Sequence, residues 1–328
     1  MEAAASRGTE ARDDIDAADD HKATSPGEFT FSAWKQVLLR TWKEASADSL
    51  GLIAAGVSFY SFLALVPLLG ATVLTYGMVA DVATVNGHVA RIVTLLPGDA
   101  GRLISEQLVE VVKSSSDKKG TGLLLALALA LFGARNAAGA IVTALNIAYE
   151  ETERRGFLKV NLLALAITAA AVLTAVFGML GVGAMSLVHV ALPEAGPVMK
   201  VATQVLTYAL LGAVGATAAA LLYRYGPSRE KPRWRWLTPG SALFAASWVI
   251  VTIGFGIYAS RFGSYGATYG SLSAVVVLLT WMYLSAYALL FGAELNSELE
   301  HQTERDTTSG PERPLGERGA WAADHVAR

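Results

Sequence analysis

Cysteine is missing from all 328 residues, which rules out a disulfide framework and any thiolate nucleophile or ligand. Histidine is nearly as scarce. The five present, His21, His88, His189, His301 and His325, form no ligand pair at helical spacing, so the clustered donors that hold a catalytic ion against a scissile phosphate have no counterpart. A nucleophile elbow and a Gly-rich, Lys-bearing phosphate loop are absent as well. The expectation is no enzyme, no metal and no cofactor. Charge is thin too: 16% of the residues are charged, against roughly a quarter in a soluble globular chain.

Apolar sequence takes up that room. The chain is 53% hydrophobic with a mean hydropathy of +0.42. Charge-poor windows at 49–80, 122–149, 160–190, 201–223, 237–260 and 271–293 each exceed the ~20 residues a helix needs to cross a ~30 Å hydrocarbon core. Only Arg135 interrupts the second. Continuous runs of this kind differ from the short alternating segments of a membrane barrel, and a helix satisfies its own backbone in lipid. The predicted fold is an all-α, polytopic integral membrane bundle of six transmembrane helices.

Lys and Arg in the connections set its orientation. Lys35, Arg40 and Lys43 precede the first span; Arg154, Arg155 and Lys159 follow the second; Arg224, Arg229, Lys231, Arg233 and Arg235 follow the fourth. These sides are predicted to be cytoplasmic, with both termini inside. That rule also accounts for the basic stretch RYGPSREKPRWRW without a nucleic-acid partner.

Residues 1–28 are acidic and lack an apolar run, and 299–328 is polar and Pro/Gly-containing, so both are expected to be disordered tails. Residues 29–48 form an amphipathic helix with Phe31, Trp34, Val37, Leu38 and Trp42 on one stripe. It lies either in the membrane interface or on the cytoplasmic ends of the bundle. A non-cytoplasmic helix at 99–116 is predicted from Asp99 as its cap and the shared face of Ile104, Leu108, Val111 and Val112. The membrane domain is thus 49–298.

Polar residues inside the windows are the functional candidates, because a charge in the bilayer costs ~3 kcal/mol or more and faces a polar interior. Arg135 leads them, with Asn146 on the same helical face and Asn136 on the neighbouring polar stripe. They either line a cavity for an anionic headgroup or solute, or Arg135 bonds backbone carbonyls freed by Pro67 or a Gly-rich neighbour. Tyr60 precedes Pro67, a hinge candidate, in the first span. Between the fifth and sixth spans RFGSYGATYGSL puts Tyr265, Thr268 and Tyr269 at the bundle mouth, as a bare hairpin or as part of a site. Glu150, Glu294 and Asn296 are candidates for a cytoplasmic gate, with an ion pair from Glu294 to Arg154 or Arg155 as the plainer reading.

Four stretches carry a family resemblance: AAGVSFYSFLALVPLL (54–69), ALNIAYEETERRGF (144–157), TPGSALFAASW (238–248) and FGSYGATYGSLSAVVVLLTWMYLSAYALLFGAELNSELE (262–300). Together they resemble the YihY/BrkB family of bacterial inner-membrane proteins over residues 30 to 300. Gly266 stands where that family often has Asn, and Val66 where a small residue or a second Pro often precedes Pro67. Members have been labelled ribonuclease BN, linked to serum resistance and proposed to move lipids or small solutes. The resemblance implies an inner-membrane location. Joined to Arg135, it leads to the expectation of a non-ATP-driven transporter or translocator of a lipid or small anionic solute through a central cavity, with membrane lipids as partners. The alternative is a non-transporting scaffold for envelope integrity, and an enzyme ranks third.

Overall fold

The computed structural model describes residues 21–77, 87, 121–191, 197–261 and 272–327. The predicted helix at 99–116 and the connection carrying Tyr265, Thr268 and Tyr269 lie outside them, as do residues 1–20. Helix α1 (Phe31–Ala47) leads through a sharp elbow into α2 (Leu50–Gly77). Then follow α3 (Thr121–Ala148), α4 (Phe157–Ala191), α5 (Pro197–Tyr225), α6 (Trp234–Arg261), α7 (Leu272–His301) and the short α8 (Trp321–Asp324). Helices α2 to α7 run 28–35 residues, about 42 Å or more at 1.5 Å per residue, longer than a hydrocarbon core is thick.

Among the described residues, α4 to α7 carry windows apolar enough to cross a membrane, and α1 with α2 makes a fifth if the bent pair counts as one span. Only 11–22% of those four windows is buried within the protein. Their large apolar side chains, Leu162, Leu206, Ile250 and Val276 among them, point outward. A water-soluble fold would not leave so much apolar surface bare. The chain is an all-α bundle with several membrane-spanning helices.

Helix α2 packs on α3 and α7, α6 on α5 and α7, and α4 on α3. The buried core gathers where both chain ends pack, around Leu50, Leu145, Tyr149, Tyr223, Leu237 and Leu290. A second cluster, Phe29, Val37, Trp236 and Leu299, extends it outward at this closed end.

The α6–α7 crossing shows why two of the quoted stretches read as they do. A Cβ on Gly240 would overlap the Gly292 carbonyl oxygen, and one on Gly292 would stand 2.6 Å from the Gly240 carbonyl oxygen and 2.6 Å from Tyr223 Oη. The two backbones touch because neither residue has a side chain. Pro239 inside α6 removes one helical donor. Asn296 of α7 ties the interrupted turn together, accepting from Gly240 N at 2.8 Å and donating to Leu237 O at 3.4 Å. Tyr223 Oη adds a third strand to the seam by donating to Leu289 O at 2.7 Å.

The expectation of a disordered tail at 299–328 is corrected. Helix α7 continues to His301, and the segment beyond it folds over the closed end. Polar bonds order it where apolar residues are few. Arg318, 5% exposed, donates to the carbonyls of Glu304 and Ala323 at 2.6 Å each. Asp324 accepts from the Gly316, Arg318 and Gly319 amides. Arg233 N donates to Thr307 O and Ser309 N to Lys231 O, pairing the tail with the α5–α6 connection.

The N-terminal boundary moves as well. Residues 21–28 are packed, with Ala23 and Pro26 buried and Thr303 Oγ1 donating to Ala23 O at 2.7 Å. Helix α1 turns a small face, Ala33, Val37, Thr41 and Ala45, onto the bundle. Of its predicted stripe, Phe31, Leu38 and Trp42 point away, 88%, 48% and 65% exposed. One helix therefore does both things the sequence left open: it packs on the bundle ends and presents an apolar face.

Candidate functional site

Helices α2, α3 and α4 enclose a cleft of about 650 Å³ lined by Ile53, Val57, Tyr60, Arg135, Asn136, Gly139, Thr143, Val160 and Ala164. It brings together three of the predicted residues, Tyr60, Arg135 and Asn136. Gly56 and Gly139 open its walls, since no atom lies within 4 Å of a Cβ built on either. Val142, one position from the polar row, turns into the core instead and is 2% exposed.

Arg135 is held by amides. Its Nε donates to Asn161 Oδ1 at 2.7 Å, Nη2 donates to the same oxygen, and Nη1 donates to Asn136 Oδ1 at 3.0 Å. Asn161 is aimed in turn by donating from Nδ2 to Phe157 O at 2.7 Å. A guanidinium has five N–H donors, so these bonds leave two without a partner among them. Neither amide oxygen carries a charge. The backbone carbonyls weighed as partners for Arg135 are not what it uses. Asn161 was missed by sequence reasoning; its signal is a polar residue at the second position of the third apolar window, directly after Lys159 and Val160.

The partner also sets the depth of Arg135. Asn161 stands one turn from the start of α4, where Phe157 and Leu158 are 82% and 71% exposed. Arg135 is central in its apolar window, yet it sits close to the level at which α4 begins.

Asn146 lies outside the cleft lining. It is buried and staples two connections, donating to Glu153 Oε2 at 3.0 Å and accepting from Ser228 N at 2.7 Å. Three helical turns separate it from Arg135, so a shared face brings no contact. Glu150 ends α3 in a left-handed conformation, φ 55°, and is exposed. Partial desolvation by its neighbours pushes its carboxyl up from the ordinary range, helped by the negative charges of Asp48, Glu44 and Glu298. The Arg155 guanidinium holds Glu153 down to about 2.

The predicted pairing of Glu294 with Arg154 or Arg155 is corrected. Arg155 bonds Glu153 at 2.6 Å, two residues away, and Arg154 N donates to Ser228. Glu294 and Asn296 are buried, at 3% and 0% exposure, rather than emerging at the boundary. Pro67 lies within α2, and the sharp 66° bend falls earlier, between α1 and α2. Among the described residues, no group of three or more His, Cys, Asp and Glu is placed to hold a metal ion.

Comparison with known proteins is decisive for the family. The family described as Virulence factor BrkB matches residues 41–316. The chain belongs to the BrkB family. The ribonuclease-like YfkH of Bacillus subtilis (strain 168) is 30% identical over 200 residues, 58% of this chain and 71% of that protein. A UPF0761 membrane protein of Rhodospirillum centenum (strain ATCC 51521 / SW) is 28% identical over 265 residues, 79% of this chain and 56% of the relative. A UPF0761 membrane protein of Xanthomonas oryzae pv. oryzae is 39% identical over 87 residues, 20% of its length. The chain therefore spans little more than half of the second relative and a fifth of the third. No solved structure matches the chain. Family membership supports a membrane-embedded role for this BrkB-family protein.

Proposed function

We propose that this BrkB-family protein binds an anionic headgroup or small anionic solute in the α2–α3–α4 cleft and moves it across the bacterial inner membrane without ATP. Arg135 carries the reading. It is a cation in an apolar helix, opposed among the described residues by amide oxygens alone, and it lines an open volume of about 650 Å³. A half-buried cation without a counter-charge is costly within a membrane, and a phosphate or carboxylate entering the cleft would supply both the missing charge and acceptors for the two spare N–H groups.

In this proposal all six long helices span and both termini are cytoplasmic. The described segments that flank the helices, from His21 and up to residue 327, share one end of the bundle, where Glu304 N donates to His21 O at 2.7 Å, as an even number of crossings requires. Arg154, Arg155, Lys159 and the basic α5–α6 connection collect at that end, consistent with the positive-inside rule. Exposed Phe31, Trp42, Phe157 and Trp234 would mark the headgroup level there. The cleft then opens near the cytoplasmic leaflet, within reach of a lipid phosphate.

The test is translocation of a fluorescent acidic phospholipid and of a zwitterionic one in proteoliposomes, read by a membrane-impermeant quencher. The expected result is faster movement of the acidic lipid with wild type and loss of that advantage in Arg135→Ala. Equal rates with wild-type protein and empty liposomes would refute translocation.

A further inference from the structure

We propose that the turn joining α5 to α6 is a binding site for the headgroup of an acidic phospholipid, built by Arg224, Tyr225, Lys231 and Trp234. This site shares no residue with the cleft and does not depend on what the cleft binds. Its level is set by the two helices it joins: the apolar window of α5 ends at Tyr225, and that of α6 begins at Trp234. Both side chains are at the surface, 42% and 50% exposed. They stand where a span meets water, the level at which amphipathic rings settle among headgroups.

Two cations are laid on these rings. The Arg224 guanidinium carbon is 4.6 Å from the Trp234 ring centre and 5.8 Å from that of Tyr225, and Lys231 Nζ is 5.0 Å from the Tyr225 ring centre. Lys231, Tyr225, Arg224 and Trp234 thus form one continuous ladder. The positive-inside rule asks only that Lys and Arg lie on one side of the membrane; it does not account for their stacking on exposed rings. Nor are their charges answered within the protein. Arg224 Nη1 donates to Pro232 O and Nη2 to Ser309 Oγ at 3.2 Å, both neutral oxygens, while Nε is buried without an acceptor. Among the described residues no carboxylate pairs with Arg224 or Lys231, and Glu230, the acid next to Lys231, stands 3.9 Å from Arg313. A phosphodiester brings the missing charge and acceptors for the Lys231 ammonium. Leu221, one turn into the membrane from Tyr225, is 42% exposed and gives acyl chains a surface that a free phosphate would not use.

The test is a lipid titration of the delipidated full chain in detergent, read by native mass spectrometry, with dioleoyl phosphatidylglycerol and dioleoyl phosphatidylcholine as probes. Every protein carries Arg135→Ala, which removes the cleft's cation from the readout and separates this proposal from that one. The expected result is tighter binding of phosphatidylglycerol than of phosphatidylcholine. That preference should fall about fivefold when Lys231→Gln is added and about two- to fivefold with Trp234→Leu. Both side chains are exposed, so neither change disturbs the core. Lys35→Gln, which removes an exposed cation of α1 outside the ladder, should leave the preference intact. No preference for phosphatidylglycerol before the ladder is altered overturns the proposal, and so does an equal fall in Lys231→Gln and Lys35→Gln, which would mark a diffuse charge effect. Displacement of the bound lipid by millimolar inorganic phosphate would overturn it too, by making the ladder a free-anion site.

Discussion

Replacing Gly240 with Ala puts one methyl group into the closest of the contacts that the described glycines make. The new Cβ would overlap the Gly292 carbonyl oxygen and lie 2.5 Å from Asn296 Cγ, so α6 and α7 must separate or twist. Overpacking of this sort costs roughly 1–3 kcal/mol. Because Asn296 bonds Gly240 N across the same contact, displacing it leaves buried polar groups unpaired for about another 1–3 kcal/mol. Better helix propensity of Ala returns up to ~1 kcal/mol, giving a net destabilisation of about 1–5 kcal/mol. Gly254 lies in the same helix with nothing within 4 Å of a built Cβ; Gly254→Ala is expected to be neutral or stabilising by up to ~1 kcal/mol. Reversible denaturation in mixed micelles compares the two. If Gly240→Ala proved as stable as Gly254→Ala, the backbone-contact account of the α6–α7 seam would be wrong.

Other expectations follow from the closed end. Arg229→Met leaves Glu300 buried and unpaired where both side chains now have 0% exposure, and should cost about 3–5 kcal/mol in the same assay. Tyr223→Phe removes the bond to Leu289 O and should cost roughly 1 kcal/mol. Glu153 sits at about 2, below the ordinary 4.5, so its contribution is intact above 4.5 and disappears as pH falls toward 2. Proteolysis of the 149–156 connection should therefore rise across that acid window in wild type and be pH-insensitive there, at a uniformly higher rate, in Glu153→Gln.

The long helices were legible because apolar windows between charges need no knowledge of neighbours. Their ends were less so. The last window stops at the first charge, yet α7 runs on to His301 with Glu294, Asn296, Glu298 and Glu300 buried, since Asn296, Glu298 and Glu300 find partners on other elements that spacing does not reveal. The same blindness made 302–327 read as disordered: its order rests on Arg318, Asp306, Asp324 and Thr303, whose bonds to backbone are specific and leave no mark on composition. Helical periodicity put Arg135 and Asn146 on one face and Asn136 on the neighbouring stripe, whereas the cleft takes in Arg135 and Asn136 and leaves out Asn146, three turns away. Asn161 entered only when α4 was packed against α3.

The central claim is that the Arg135 cleft holds an anionic group. Native mass spectrometry of the protein released from bacterial membranes in a gentle detergent tests it most directly, comparing wild type, Arg135→Lys and Arg135→Ala. The account predicts a defined acidic species, lipid or free anion as its mass will tell, retained by wild type, weakened by Arg135→Lys because an ammonium lacks the planar fork, and lost from Arg135→Ala. Identical spectra for wild type and Arg135→Ala, or no retained anion in either, would contradict it and leave Arg135 as a clasp between α3 and α4.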